Sequence, residues 1–315
     1  MNLNEIYSVY FVGAGGIGMS ALIRYFLSQG KIVAGYDRTA TPLTQKLIEE
    51  GAQIHYEDDV NLIPACCKQE SQTLVIYTPA IPDDHKELTF FRNGNFNIQK
   101  RAQVLGLITR NSKGLCVAGT HGKTTTTSLI ANMLNEIDEC AYLIGDGTSH
   151  VSPLSNYFVF EACEYKDSFL SFFPKVAVVL NISLDHTDYF SGIEHMRASF
   201  SQFMNNSGKD GFAVYNYDCE NCRIAAKTNV CKNITFSPLG DEKANFYAAN
   251  ICNNCGFASF DVYKNKEFYI SVKLSAPGEH NIANALACVA VCDLCGITKE
   301  DIGKKISVDE YNAAC

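Results

Sequence analysis

Apolar runs alternate with helix-period segments along most of the chain, a pattern that predicts layered, parallel α/β structure. "SVYFVGAG" (8–15) reads as a strand running into a glycine turn, and "MSALIRYFLSQG" (19–30) as a helix with apolar residues at i, i+3, i+4 that stops at Gly30. "KIVAGYD" makes a second strand ending in Asp37, "TPLTQKLIEEG" a helix, and "TLVIYTPAI" a strand with a proline-bearing exit. The polar, glycine-ended stretch "TRNSKG" (109–114) is the best linker candidate. Beyond it "LCVAG" is a strand and "TTTSLIANMLNE" a helix, while "YFVFEACE" is a strand leaving Glu161 near its C-terminal end. "KVAVVLNIS" and "GFAVYNYD" read as further strands, 246–275 as β-rich hairpins, and "EHNIANALACVAVCDLCG" as a buried helix ending at Gly296.

Length and composition narrow this picture. A chain of 315 residues suits two domains rather than one core. The net charge of -8, from 26 basic against 34 acidic side chains, argues against a nucleic-acid surface and favours a small-molecule role. The N-terminal segment lacks the pattern of a signal peptide, and no stretch approaches the ~18 apolar residues of a membrane span. The expectation is a cytoplasmic protein without membrane insertion. Its 14 cysteines are then expected as thiols rather than disulfides. Three CxxC pairs, Cys219/Cys222, Cys252/Cys255 and Cys292/Cys295, leave zinc binding open against incidental thiols. The first two pairs stand further apart than the ~15–20 residues usual in a four-cysteine site. "YDCENCRIAA" looks like a helix start capped by Asp218.

Two glycine loops carry the candidate chemistry. "GAGGIG" (Gly13, Gly15, Gly16, Ile17, Gly18) fits G-x-G-x-x-G between strand and helix, with Asp37 at the end of the next strand. Such glycines let backbone amides approach a pyrophosphate at a helix N-terminus, and an acid can accept from a ribose or base. The loop is compatible with a dinucleotide, with the diphosphate of another nucleotide, or with a plain tight turn. The second loop, "GTHGKTTTT", has strand before and helix after, but Val117 stands where a Walker loop has its first glycine. Lys123 is placed to reach β/γ-phosphates and Thr124 to hold Mg²⁺. Together the loops suggest an enzyme that holds one nucleotide-linked substrate and phosphorylates it with another nucleotide. Glu161 is a candidate Mg²⁺ carboxylate, and His186, between Asp185 and Asp188, is either a ligand or structural.

"GAGGIGMSAL", "GTHGKTTTT", "FEACEYKDSFL", "NISLDHTDYF" and "GEHNIANALA", in this order and spacing, resemble the Mur ligase family over nearly all of residues 6–305. The resemblance implies a Rossmann-like parallel-sheet domain (1–108) that binds the UDP-sugar, a P-loop NTPase-like α/β central domain (109–306), and a tail (307–315). It implies ATP-dependent amide formation in peptidoglycan assembly, with UDP-N-acetylmuramate and L-alanine as substrates and ATP and Mg²⁺ as cofactors. A sister ligase adding another amino acid or peptide, or a non-catalytic UDP-sugar or ATP binder, stays open. By the same resemblance Gly119, Thr120, His121, Gly122, Lys123, Thr124 and Thr125 hold ATP phosphates. Thr124 and Glu161 bind one Mg²⁺, and His186 serves a second. Asn281 and Asn284 sit near the nucleotide, although Asn281 could equally cap its helix. The first glycine loop takes the UDP diphosphate, with Asp37, Thr78 and Arg101 nearby. Asp58 stands where the family commonly has His near the substrate. Family members also carry a third domain of roughly 150 residues, so this chain alone is expected to ligate weakly or not at all.

Overall fold

A computed structural model describes residues 3–78, 80–135, 140–144, 148–150 and 155–306. The expected tail, 307–315, lies outside the described residues. The chain forms two compact units, Met1–Ile108 with Gly145–Ser155 and Thr109–Ile144 with Asn156–Cys315.

The first unit has five strands, β1 (Ser8–Val12), β2 (Ile32–Tyr36), β3 (Gln53–His55), β4 (Thr73–Tyr77) and β5 (Asn97–Lys100), in the order β3-β2-β1-β4-β5. Every pairing is parallel. Strand β1 is buried along its whole length, which is why "SVYFV" reads as a continuous apolar run rather than an alternation. Helices α1 (Ile17–Ser28), α2 (Pro42–Glu49), α3 (Lys86–Asn93) and α4 (Arg101–Asn111) follow strands in turn. Helix α2 begins with Pro42 in its first turn and a reciprocal capping box between Thr41 and Thr44. Crossing from β1 outward to β2 on one side and β4 on the other creates a crevice at the strands' carboxyl ends, the usual ligand position in such sheets.

The expected linker 109–114 is not a loop. Helix α4 runs to Asn111 and the next strand, β6 (Lys113–Ala118), starts two residues on. The polar residues there have structural partners: Thr109 Oγ1 accepts from the Phe173 amide at 3.0 Å, and the Arg110 guanidinium lies 3.6 Å over the Phe173 ring.

The second sheet continues with β7 (Cys140–Leu143), a two-residue β8 (Ser149–His150), β9 (Tyr157–Glu161), β10 (Val176–Val179), β11 (Phe212–Asn216), β12 (Lys232–Ser237), β13 (Phe246–Asn254), β14 (Phe257–Lys264) and β15 (Glu267–Pro277). The sheet order is β15-β14-β13-β12-β11-β10-β6-β9-β7-β8. Pairing is parallel from β13 to β9, and β13, β14 and β15 form an antiparallel meander at one edge. Helices α5 (Lys123–Asn135), α6 (Ile193–Asn205), α7 (Glu220–Ala225), α8 (His280–Leu294) and α9 (Lys299–Ile306) complete it. Helix α8 is apolar nearly all round because it packs on α5, α9 and several strands at once. Its residues Ile282, Leu286, Val289 and Val291 join Val117, Ile130, Val178 and Phe236 in one core. Among the described residues, no helix is long and apolar enough to cross a membrane.

Candidate active site

The second glycine loop joins β6 to α5, with β9 and β10 as the flanking strands, so residues from three strand ends converge on it. Gly122 takes φ +84°, and a Cβ there would meet Asn284 Oδ1 at 2.5 Å, so glycine is required twice over. The loop is clasped from the residues after β10. The His121 amide donates to Asn181 Oδ1 at 2.9 Å while Asn181 Nδ2 returns a bond to the His121 carbonyl at 3.0 Å. Thr120 Oγ1 accepts from the Ser183 amide at 3.0 Å. The first-turn amides of α5, at Lys123, Thr124 and Thr125, have no intrahelical acceptors and carry the positive end of the helix dipole, the arrangement that receives phosphate.

Lys123 folds over this loop. Its Nζ donates to the Gly119 carbonyl at 2.6 Å, the Thr120 carbonyl at 3.2 Å and Glu164 Oε1 at 3.2 Å. Glu164 is fully buried, and its Oε2 lies 3.2 Å from the ammonium without a directed hydrogen bond. Beside this pair Thr124 Oγ1 donates to Glu161 Oε2 at 2.9 Å. His186 Nε2 is 3.8 Å from Glu164 Oε1, and Glu164, Asp185 and His186 each offer a ligand atom within 4.8 Å of the others. His186 holds φ +49°, an αL conformation that costs a non-glycine residue about 1–2 kcal/mol. Asp185 Oδ1 accepts from the His186 amide at 2.7 Å and supports that bend. Two reciprocal bonds, Tyr165 to Asp188 and Tyr189 to Asp167, both at 2.7 Å, fasten the Glu164 segment to the His186 segment.

A divalent cation fits these donors. A buried carboxylate with an undirected oxygen, a second carboxylate and an imidazole make one group, and the Thr124 hydroxyl with the Glu161 carboxylate makes an all-oxygen pair suited to Mg²⁺. Lys123, Thr124 and Glu161 are therefore brought together as the sequence suggests. His186 meets Glu164, which sequence reasoning did not single out. The signal available was the second acid of "EACE", three residues past Glu161.

Asn281 and Asn284 form a buried chain behind the loop. Asn281 Nδ2 donates to the Pro277 carbonyl, Asn284 Nδ2 to Asn281 Oδ1, both at 2.9 Å, and Thr126 Oγ1 to Asn284 Oδ1 at 3.1 Å. Asn281 does not cap its helix, because the N-cap is Glu279. These residues brace α5 from beneath.

In the first unit the loop after β1 borders a cleft of about 700 Å³ lined by Gly13, Gly16, Asp37, Arg38, Thr78 and His85 among others. Gly13 has φ +94°, and the Thr78 methyl fills the space a Cβ would need. Asp37 Oδ2 accepts from the Gly15 amide at 2.5 Å and Oδ1 from the Thr39 amide at 3.0 Å, so its carboxylate braces the loop. The Arg101 guanidinium lies against Gly18, and Ile17 is exposed on the first turn of α1. Asp58 caps α3, accepting from the Lys86 amide at 2.9 Å and the Glu87 amide at 3.1 Å, with His85 Nδ1 3.2 Å away. Beneath the cleft, fully buried Glu87 accepts from Tyr10 Oη at 2.6 Å, and burial pushes its carboxyl up to about 7. Desolvation holds the neighbouring His55 and His85 below the ordinary imidazole range.

Residues 8–113 match the description "Mur ligase family, catalytic domain", and residues 117–292 match "Mur ligase middle domain". The chain belongs to the Mur ligase family. Among curated Mur ligases it is 44% identical over 311 residues to the UDP-N-acetylmuramate–L-alanine ligase of Parabacteroides distasonis, and that match covers 96% of the chain and 66% of the relative. The corresponding enzyme of Phocaeicola vulgatus is 42% identical over 309 residues, with the same coverage. The chain thus spans just under two thirds of the length of these relatives. Among solved Mur ligases, the UDP-N-acetylmuramate–alanine ligase of Thermotoga maritima superposes with TM-score 0.75 at 26% identity, covering 95% of this chain and 68% of that one. The Neisseria ligase for UDP-N-acetylmuramate and L-alanyl-γ-D-glutamyl-meso-diaminopimelate superposes at 0.80 with 23% identity, covering 96% and 98%, and speaks for the fold alone.

Proposed function

We propose that this chain carries the nucleotide-handling part of a ligase that joins L-alanine to the carboxylate of UDP-N-acetylmuramate at the expense of ATP, a step of peptidoglycan precursor synthesis. The observation that carries the reading is the convergence of Lys123, Thr124, Glu161 and Glu164 at the mouth of the glycine loop, on a chain whose curated relatives bear that name. A carboxylate resists attack by an amine because its charge repels nucleophiles and oxide is a very poor leaving group. Phosphorylation to an acyl phosphate removes both obstacles, and the amine then displaces phosphate. Lys123 offsets charge on the transferring phosphoryl group, and the α5 amides orient it. Thr124 and Glu161 would hold one Mg²⁺, and Glu164, Asp185 and His186 a second cation. Bound there, such ions supply electrostatic neutralisation of phosphate oxygens. Gly13 to Gly18, with Arg101 alongside, would receive the UDP diphosphate, and the surrounding cleft the rest of the nucleotide.

The test is phosphate release on mixing UDP-N-acetylmuramate, L-alanine, ATP and Mg²⁺ with the chain, with and without the C-terminal third of the P. distasonis relative supplied in trans. Lys123→Ala is expected to lower the rate about 100-fold or more. Turnover unchanged by that substitution would refute the phosphate role. Turnover with another amine and none with L-alanine would favour a sister ligase.

A further inference from the structure

Glu164 and His186 each begin a tight reverse turn. The Asp167 amide donates to the Glu164 carbonyl at 2.9 Å, and the Tyr189 amide to the His186 carbonyl at 2.9 Å. Both turns use costly backbone. Lys166 and Asp167 stand in succession at φ +52° and +54°, and His186 at φ +49°, left-handed conformations that residues other than glycine keep only where tertiary contacts hold them. Each turn leads into a buried phenylalanine: Phe169 stacks on Phe203 with ring centroids 4.8 Å apart, and Phe190 donates its amide to the His186 carbonyl at 2.9 Å.

A crossed pair of bridges joins one turn to the other. Tyr165 Oη of the first donates to Asp188 Oδ2 of the second, and Tyr189 Oη of the second to Asp167 Oδ2 of the first, both at 2.7 Å. That length is typical of a charge-assisted O–H···O⁻ bond, and a phenol stays a protonated donor at neutral pH. The Tyr165 ring also lies against the His186 imidazole, with centroids 4.8 Å apart and planes tilted by 41°. The cation group draws Glu164 from one turn and Asp185 and His186 from the other segment. Its Glu164 Oε1 and His186 Nε2 are 3.8 Å apart, too far for a hydrogen bond, so these two atoms do not set their own separation. Given the ligase reading, on which this rests, we propose that Tyr165 and Tyr189, acting through Asp188 and Asp167, are positioning residues for the second cation, holding the Glu164 carboxylate and the His186 imidazole at the gap one divalent ion bridges. Partners one layer out from a metal commonly govern its affinity in this way. The phosphate loop is held separately, by Asn181 and Ser183.

The full chain, free of nucleotide, is titrated with Mn²⁺, and the unbound ion is read by electron paramagnetic resonance. Glu164→Gln marks the site by weakening it. Tyr165→Phe keeps the ring against His186 and removes only its bridge, and Tyr189→Phe removes the other. Each is expected to weaken the same site about fivefold. Asp188 and Asp167 keep their charges in both variants, so the loss reports geometry rather than field. Tyr165→Phe is expected to retain the wild-type urea midpoint and, in EDTA, the wild-type affinity for a non-hydrolysable ATP analogue. Its bridge is exposed, so it carries the test alone if Tyr189→Phe does not fold. Mn²⁺ affinity unchanged in Tyr165→Phe, with Glu164→Gln weakened, overturns the positioning role and leaves the ligase reading standing. A loss of Mn²⁺ affinity that merely parallels a fall in urea midpoint and ATP affinity also overturns it, as a general loosening of the fold. Equal Mn²⁺ binding by the wild type and Glu164→Gln removes the cation group, and with it both readings of that group.

Discussion

Glu87 shows how much one buried side chain can say about solution behaviour. Its carboxyl is raised from 4.5 to about 7, chiefly by burial, against the lowering influence of the Tyr10 hydroxyl. The folded state therefore holds this proton more tightly than the unfolded chain does, and stability from this site is fully present below about pH 4.5 and is lost as the pH rises towards 7. The loss amounts to about 3 kcal/mol, at about 1.4 kcal/mol per pKa unit. Between pH 5 and 8 the urea midpoint of the wild type is expected to fall relative to that of Glu87→Gln, which keeps the shape without the charge; the depressed His55 and His85 act with the opposite sign in both proteins. Glu164 is a buried acid paired with the Lys123 ammonium. Glu164→Gln should leave Lys123 without its ion-pair partner and weaken Mg²⁺ or Mn²⁺ binding measured by calorimetry at least tenfold, while Glu194→Gln, at an exposed ion pair, should change nothing. The sequence drew attention to Glu161 because three apolar residues lead directly into it. Glu164 carried only the weak signal of a second acid in "EACE", because its burial arises when the segment folds back under Lys123.

At the level of elements, the strand–loop–helix unit around Gly119–Thr125 was readable, since apolar run, glycines and helix period all agree. The brace beneath it was not. Asn281 and Asn284 sit in a helix whose sequence announces burial but not what it is buried against. Gly122→Ala is expected to destabilise the chain by about 1–3 kcal/mol, since it strains a positive φ and pushes on Asn284. Asn284→Ala should cost about 1–3 kcal/mol by leaving Thr126 and Asn281 short of a partner. Urea titration measures both, and unchanged midpoints would show that the brace carries no load. The expectation that Asp218 caps α7 is corrected at this scale. Cys219 is the N-cap, and Asp218 instead accepts from Ser237 Oγ at 2.8 Å and from the Leu239 amide at 2.8 Å. A capping residue and a strand-bridging residue look alike in sequence, because both are short acids beside a turn.

For the whole molecule, the two glycine loops belong to different compact units, each with its own core. Hydrogen exchange offers a direct separation. A non-hydrolysable ATP analogue should protect amides around 119–130, and UDP-N-acetylmuramate those around 13–20 and 36–38. Protection of both regions by one nucleotide, or the reverse assignment, would contradict the division of labour. What the sequence determined by itself was the alternation of strands and helices, the class of fold, and the two glycine loops between strand and helix. These depend on residues near one another in the chain, where hydrophobic period and glycine placement act locally. Tertiary structure alone decided which carboxylate meets Lys123, that Asp58 caps α3, that Asp37 holds its own loop, and that a buried asparagine chain supports α5. Those contacts join residues far apart in the chain, and their energies come from burial and exclusion of water, quantities that do not exist until the sheets have assembled.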